Sequence, residues 1–230
     1  MNPPVRPHSS IRVGAVCLAA VLAGCSVTQQ VAPTQVHSEL TDDVLLKPGG
    51  PGQADLRYIN PSARWTRYKK IVIDPVTFWS GATEVPATDQ QALCDFMYQA
   101  VVQQFGQRFE VVQQLGPATM RLHVAIISAS AATPLLRSVS MIVPQARVLA
   151  TLKYLATGTY PFVGSAEVEA RITDALSGQV LGAWIEHYVG GGSIQAAAQW
   201  QWGDAENAMT TWATTSATRM ASWTSGTATP

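Results

Sequence analysis

Charge is scarce in this sequence: 13% of its residues are Asp, Glu, Lys or Arg, and the formal balance is +0. An average soluble chain carries roughly 25%. No run of like charge and no basic stripe is present, so a nucleic-acid partner is not expected. Histidine and cysteine are few, four and three respectively, and no HExxH or paired-cysteine spacing brings them together. No metal site and no cofactor are therefore predicted. There is no GxSxG elbow; "VGSAE" at 163–167 only echoes part of one. "GGGS" at 190–193 lacks the lysine and spacing of a phosphate loop and reads as a flexible exit from a hairpin.

Long apolar runs are also absent. The longest apolar stretch near the start, "VGAVCLAAVLAG" at 13–24, falls short of the ~20 residues a membrane span requires. It follows Arg6 and Arg12, has no acid before it, and gives way at once to the polar "SVTQQ". That is the layout of an export signal, a basic segment and then a short apolar one. Cys25 comes directly after Leu22, Ala23 and Gly24, whereas Cys17 follows "GAV" and lacks a small residue before it. "LAGC" resembles the lipobox of bacterial lipoprotein precursors. The resemblance implies cleavage between Gly24 and Cys25, a diacylglycerol on the Cys25 sulfur and acylation of the new amino group. An ordinary signal with an incidental cysteine is the alternative. Ser26 after the cysteine is similar to the pattern sorted to the outer membrane, with the domain facing the periplasm. Each buried methylene adds ~0.8 kcal/mol, so the two or three acyl chains that this implies would anchor the protein stably in the membrane.

Removing residues 1–24 takes away Arg6 and Arg12 and no acid, and leaves Cys94 as the one side-chain thiol besides Cys25. A single thiol excludes an internal disulfide. Its setting, "QALCDFMYQAVV", is amphipathic and predicts a buried, inert group. Residues 25–63 contain Pro33 and "KPGGPG" and few apolar clusters. They read as a lipidated extension, flexible in its first third and irregular after it. One folded domain is expected over 64–230.

Within that domain "RYKKIVIDPVTFW" predicts a β-rich run that Pro75 ends, bulges or confines to an edge. A helix is expected from about Thr88, with Gln91 completing a capping box, to about Gly106. Leu93, Phe96, Met97, Ala100, Val101 and Phe105 form its apolar face. Strands are expected at Phe109–Val112 and Thr119–Ser130, and a further helix over 145–158. Ala166, Val168, Ala170 and Ile172 alternate with Glu167, Glu169, Arg171 and Thr173, and "DALSG" then turns the chain into a return strand at Gln179–Val189. Asp204 is expected to cap a last helix, with Ala205, Met209, Trp212, Ser216, Met220 and Trp223 on one stripe. The fold class is α+β, a mixed and largely antiparallel sheet with helices packed on one face.

Five blocks in this order, "LRYINPSARW", "YKKIVIDPVTFW", "GPATMRLHVAI", "EVEARITDALSGQVLGAW" and "WGDAENAMTTWA", resemble the bacterial lipoprotein family known by its domain of unknown function, DUF3313. The resemblance supports lipidation and implies no catalytic residues. More loosely, the element order is similar to small envelope domains of the TolB amino-terminal type, which mostly bind other proteins; this is analogy of fold.

Candidate chemistry is thin. Asp74 in "IDPV" could be catalytic, but an aspartate before a proline at a strand end more often stabilises a turn. Glu167, Glu169 and Glu186 could gather on one face, although the alternation of Glu167 and Glu169 reads as a solvated one. His123 and His187 fall on strands without further ligands; His37 falls in the extension. The seven tryptophans could line a groove or an interface; Trp184, Trp212 and Trp223 suit a core, while Trp200 and Trp202 in "QWQWGD" are harder to bury together. A binding surface is therefore expected at Trp200, Trp202 and Asp74, with no catalytic residue assigned. The expected role is a non-enzymatic envelope domain with a protein partner. A periplasmic domain that binds or hydrolyses peptidoglycan or lipid is the alternative.

Overall fold

The computed structural model describes residues 28–31, 40–41, 44–79, 85–131, 164–190 and 201–230. The leader 1–24, Cys25, His37, Trp200 and the helix expected over 145–158 lie outside them. The described strands are β1 (Gln29–Val31), β2 (Lys47–Pro48), β3 (Leu56–Ile59), β4 (Lys70–Ile73), β5 (Thr77–Phe78), β6 (Glu110–Val111), β7 (Thr119–Ser130), β8 (Ser165–Asp174) and β9 (Val180–Val189). The helices are α1 (Ala87–Gly106) and α2 (Gly203–Ser225).

The three long strands β7, β8 and β9 are antiparallel neighbours at the centre of one sheet, ordered β2-β3-β9-β8-β7-β4-β6. Their alternation sets the faces. Leu122, Val124 and Ile126 of β7 lie in register with Ile172, Ala170 and Val168 of β8, so one apolar face is continuous across the pair. That face is the core. It packs on Leu93, Met97, Val101 and Phe105 of α1 and on Met209, Trp212 and Met220 of α2, all fully buried. Burial of each such large side chain stabilises the fold by roughly 1.5–3 kcal/mol. The sheet is mixed, with helices on one face, as its periodicity predicts.

Pro75 acts locally. β4 and β5 both lie parallel to the same edge of β7, first at Thr119–Leu122 and then at Ala125–Ile126. Between them Pro75 has no N–H to offer. The ladder resumes through neighbours: Asp74 N–H donates to Leu122 O at 3.0 Å, and Trp79 N–H to Ile126 O at 2.8 Å.

Both helix starts differ from expectation. α1 begins at Ala87, so Thr88 is already inside it and makes no cap; instead Pro86 O accepts the N–H groups of Asp89 and Gln90, each at 2.9 Å. Pro86 suits this place because an extended residue without an N–H leaves no donor unsatisfied. Asp204 also lies within the first turn of α2, and its Oδ2 accepts Gly164 N–H at 3.3 Å. The end of α2 follows the left-handed rule: Gly226 has φ +74°, and Thr227 N–H returns to Ser222 O.

The extension holds more order than its composition suggests. β3 and β1 both add antiparallel to the outer edge of β9, β3 at Gly182–Ile185 and β1 at His187–Val189. Asp55 fills the step between them: its Oδ2 accepts His187 N–H at 3.0 Å and its Oδ1 accepts the Gln30 amide at 2.8 Å. The same Gln30 amide donates to Gln53 O at 3.0 Å. The expected flexible third thus includes a residue triplet clamped into the sheet.

Candidate functional site

Asp74 directly follows β4 on the sheet face away from the helices, and parallel pairing places Arg121 and His123 of β7 beside it. Arg121 Nε donates to both carboxylate oxygens, at 3.1 and 2.9 Å, and His123 Nδ1 lies 2.6 Å from Oδ2. Burial holds the His123 pKa below its ordinary value; Asp74 opposes this, and Arg121 and Arg171 reinforce it. The neutral imidazole then donates Nδ1–H to Asp74 and keeps Nε2 as its acceptor. A carboxylate that orients a histidine in this way is one part of a nucleophile-activating relay. Among the described residues no nucleophile completes it. Asp74, expected on a binding surface, has both oxygens occupied by its neighbours.

Glu167, Glu169 and Arg171 of β8 share that face, Arg171 opposite His123 and Glu167 opposite His187. Arg171 donates to Leu40 O at 2.9 Å. Glu167 and Glu169 are both 0% exposed, which corrects the solvated face read from their alternation. Glu169 sits between Ala125 and Ile185, and neither of its carboxylate oxygens has a hydrogen-bond partner among the described residues. No group of three or more His, Cys, Asp or Glu among the described residues is placed to hold a metal.

Glu186 does not join them. Register sets it opposite Val168, on the helix face, fully buried under α2. Arg219 donates to its Oε1 at 3.0 Å, while Ser216 approaches Oε2 and Tyr188 approaches Oε1, both at 3.5 Å. Burial raises the Glu186 pKa, and Arg219 is the chief opposing influence. The space beside Arg219, lined by Ala54, Arg57, Ile59, Trp184 and Trp223, is about 10 Å³, about the least that admits a single water.

The tryptophans follow the same rule. Trp184 stacks on Trp212 at 6.5 Å, and Trp65 meets Trp223 edge-on at 5.0 Å. Trp202, expected at a binding surface, is 4% exposed, and its indole N–H donates to Asp89 Oδ2 at 2.8 Å. That bond clasps the starts of α1 and α2 together, a partnership across the chain that no local pattern reveals. At the other end of the sheet Asp174 binds Tyr68 Oη (2.8 Å), Ser177 N–H (2.9 Å) and the Arg67 guanidinium. Burial works to raise its pKa, but the donors from Ser177, Tyr68 and Leu176 outweigh it and hold the carboxyl well below the usual range. Burial likewise pushes Tyr68 up to about 12 and the Cys94 thiol up to about 11.

No curated protein matches the chain. Among solved structures it is similar to PelC dodecamers from Paraburkholderia phytofirmans. One is 10% identical with a TM-score of 0.38, covering 69% of this chain and 92% of that one; another is 11% identical with a TM-score of 0.38, covering 74% and 94%. A DUF330-family protein from Xanthomonas campestris is 12% identical with a TM-score of 0.37, covering 74% and 91%. Residues 37–216 match the family model described as "Protein of unknown function (DUF3313)", and with most of its length so matched the chain belongs to the DUF3313 family.

Proposed function

We propose that this protein is a lipid-anchored envelope lipoprotein, held at the outer membrane through Cys25 with its domain in the periplasm, and that it acts by binding another envelope protein. The observation that carries this reading is the sequence "VLAGC" behind a short apolar run with a basic start. The geometry is consistent with a binding role: Asp74 is consumed by Arg121 and His123, and Glu186 by Arg219. Cys25→Ala should abolish incorporation of radioactive palmitate and move the protein from the membrane fraction to the soluble fraction. Labelling that survives Cys25→Ala would end the reading. Cross-linking in intact cells from a photoreactive residue at position 200 should then trap a discrete protein adduct.

A further inference from the structure

The register of β1 specifies which end of the domain meets the lipid. β1 runs antiparallel to β9, with Gln29 opposite Val189 and Val31 opposite His187. The chain before Gln29 therefore leaves the sheet past Val189, where β7 finishes at Ser130 and β8 begins at Ser165. Only Ser26, Val27 and Thr28 lie between Cys25 and that paired residue. Four extended residues reach at most ~14 Å. β8 is ten residues long, so at ~3.3 Å per residue the opposite end of the sheet stands about 30 Å farther away. Slack cannot easily be drawn from β1, because the Gln30 side chain is held by both Gln53 O and Asp55.

We propose that the Ser130, Ser165 and Val189 end of the sheet is a lipid-facing surface, seated on the headgroups of the membrane that holds Cys25. This deepens the anchor reading and rests on it. The occupant is chosen by the length of chain outside the sheet and by where that chain ends. The opposite end, with the β8–β9 turn, points away from the membrane. Leu176 in that turn and Leu115 in the loop before β7 are exposed there, at 65% and 48%.

The test uses the full acylated protein in phosphatidylethanolamine–phosphatidylglycerol vesicles that carry a headgroup-attached nitroxide. With Cys94→Ala in place, a bimane fluorophore is attached through Ser130→Cys in one sample and Leu176→Cys in another. A second pair, Ser165→Cys and Leu115→Cys, covers failure of the first to fold. Quenching several-fold stronger at Ser130 or Ser165 is expected. Equal quenching, or stronger quenching at Leu176 or Leu115, overturns the orientation while leaving the anchor intact. Intact mass and vesicle flotation score the anchor separately: a protein without acyl chains that fails to float removes both readings.

Discussion

Replacing Arg219 with Met isolates the energetics of the buried pair beneath α2. The Glu186 side chain is 0% exposed and that of Arg219 12%, so the substitution strands a carboxylate that solvent cannot reach. Ser216 and Tyr188, each 3.5 Å from it, are too distant to replace a charged donor. Breaking such a pair from one side costs about 3–5 kcal/mol. For a chain of this size each kcal/mol moves Tm by roughly 2–4 °C, so a fall of roughly 6–20 °C is expected. Calorimetry and tryptophan fluorescence would read it. The pH dependence gives a second signature. A folded-state pKa raised above the unfolded value means that the folded protein holds its proton more tightly. Stability therefore falls as pH rises from the unfolded glutamate value, ~4.3, through the folded one. Without Arg219 the folded value climbs further, so the variant should regain stability as pH is lowered toward the unfolded glutamate value. Glu186→Met with Arg219→Met should recover most of the loss, since an apolar pair needs no solvation. A cost below about 1 kcal/mol, the range of exposed pairs, with no pH slope, would refute the argument.

Asp174→Asn removes the charged acceptor shared by Arg67, Tyr68 and Ser177, and urea denaturation at neutral pH should show a loss of about 1.5–3 kcal/mol. Because the folded pKa of Asp174 is depressed, its contribution is present above the unfolded value of ~3.9 and lost as pH falls below it, so the wild type should weaken on acidification more than the variant does. At Gly190 an added Cβ would lie 2.6 Å from the backbone O and Cβ of Asp204; Gly190→Ala should cost about 1–3 kcal/mol or more in a thermal melt, and an unchanged Tm would contradict the close approach of β9 to α2. Glu169→Val replaces a buried carboxylate between Ala125 and Ile185 with a strand-forming apolar residue. It should raise stability by about 1–3 kcal/mol, whereas a loss would reveal a partner for that carboxylate.

The elements legible in the sequence are those long enough to express a period. β7, a strand of 12 residues, shows Met120, Leu122, Val124 and Ile126 at every second place, and α2, a helix of 23 residues, keeps its stripe from Ala205 to Trp223. β1 and β2 have three and two residues, too few for any alternation, and pairing with β9 is what makes β1 a strand. The alternation of Glu167 and Glu169 identified their face correctly. It could not say whether that face is covered, because a pattern of sides carries no information about the next layer. Trp202 was misplaced for a related reason: its partner Asp89 lies on the other helix. Asp74 met Arg121 and His123 through a parallel register across a helical crossover, a contact that no window of neighbouring residues contains.

The pairing of β1 with β9 also governs the order in which the molecule can be finished. β1 is the first described strand and β9 the last. In a chain made amino end first, residues 29–31 emerge long before their docking site exists. The edge of the sheet stays open until β9 has been made, and α2, which roofs the core, follows later still. Contacts this distant in sequence form slowly. Native closure is thereby deferred until the last strand and the last helix are in place.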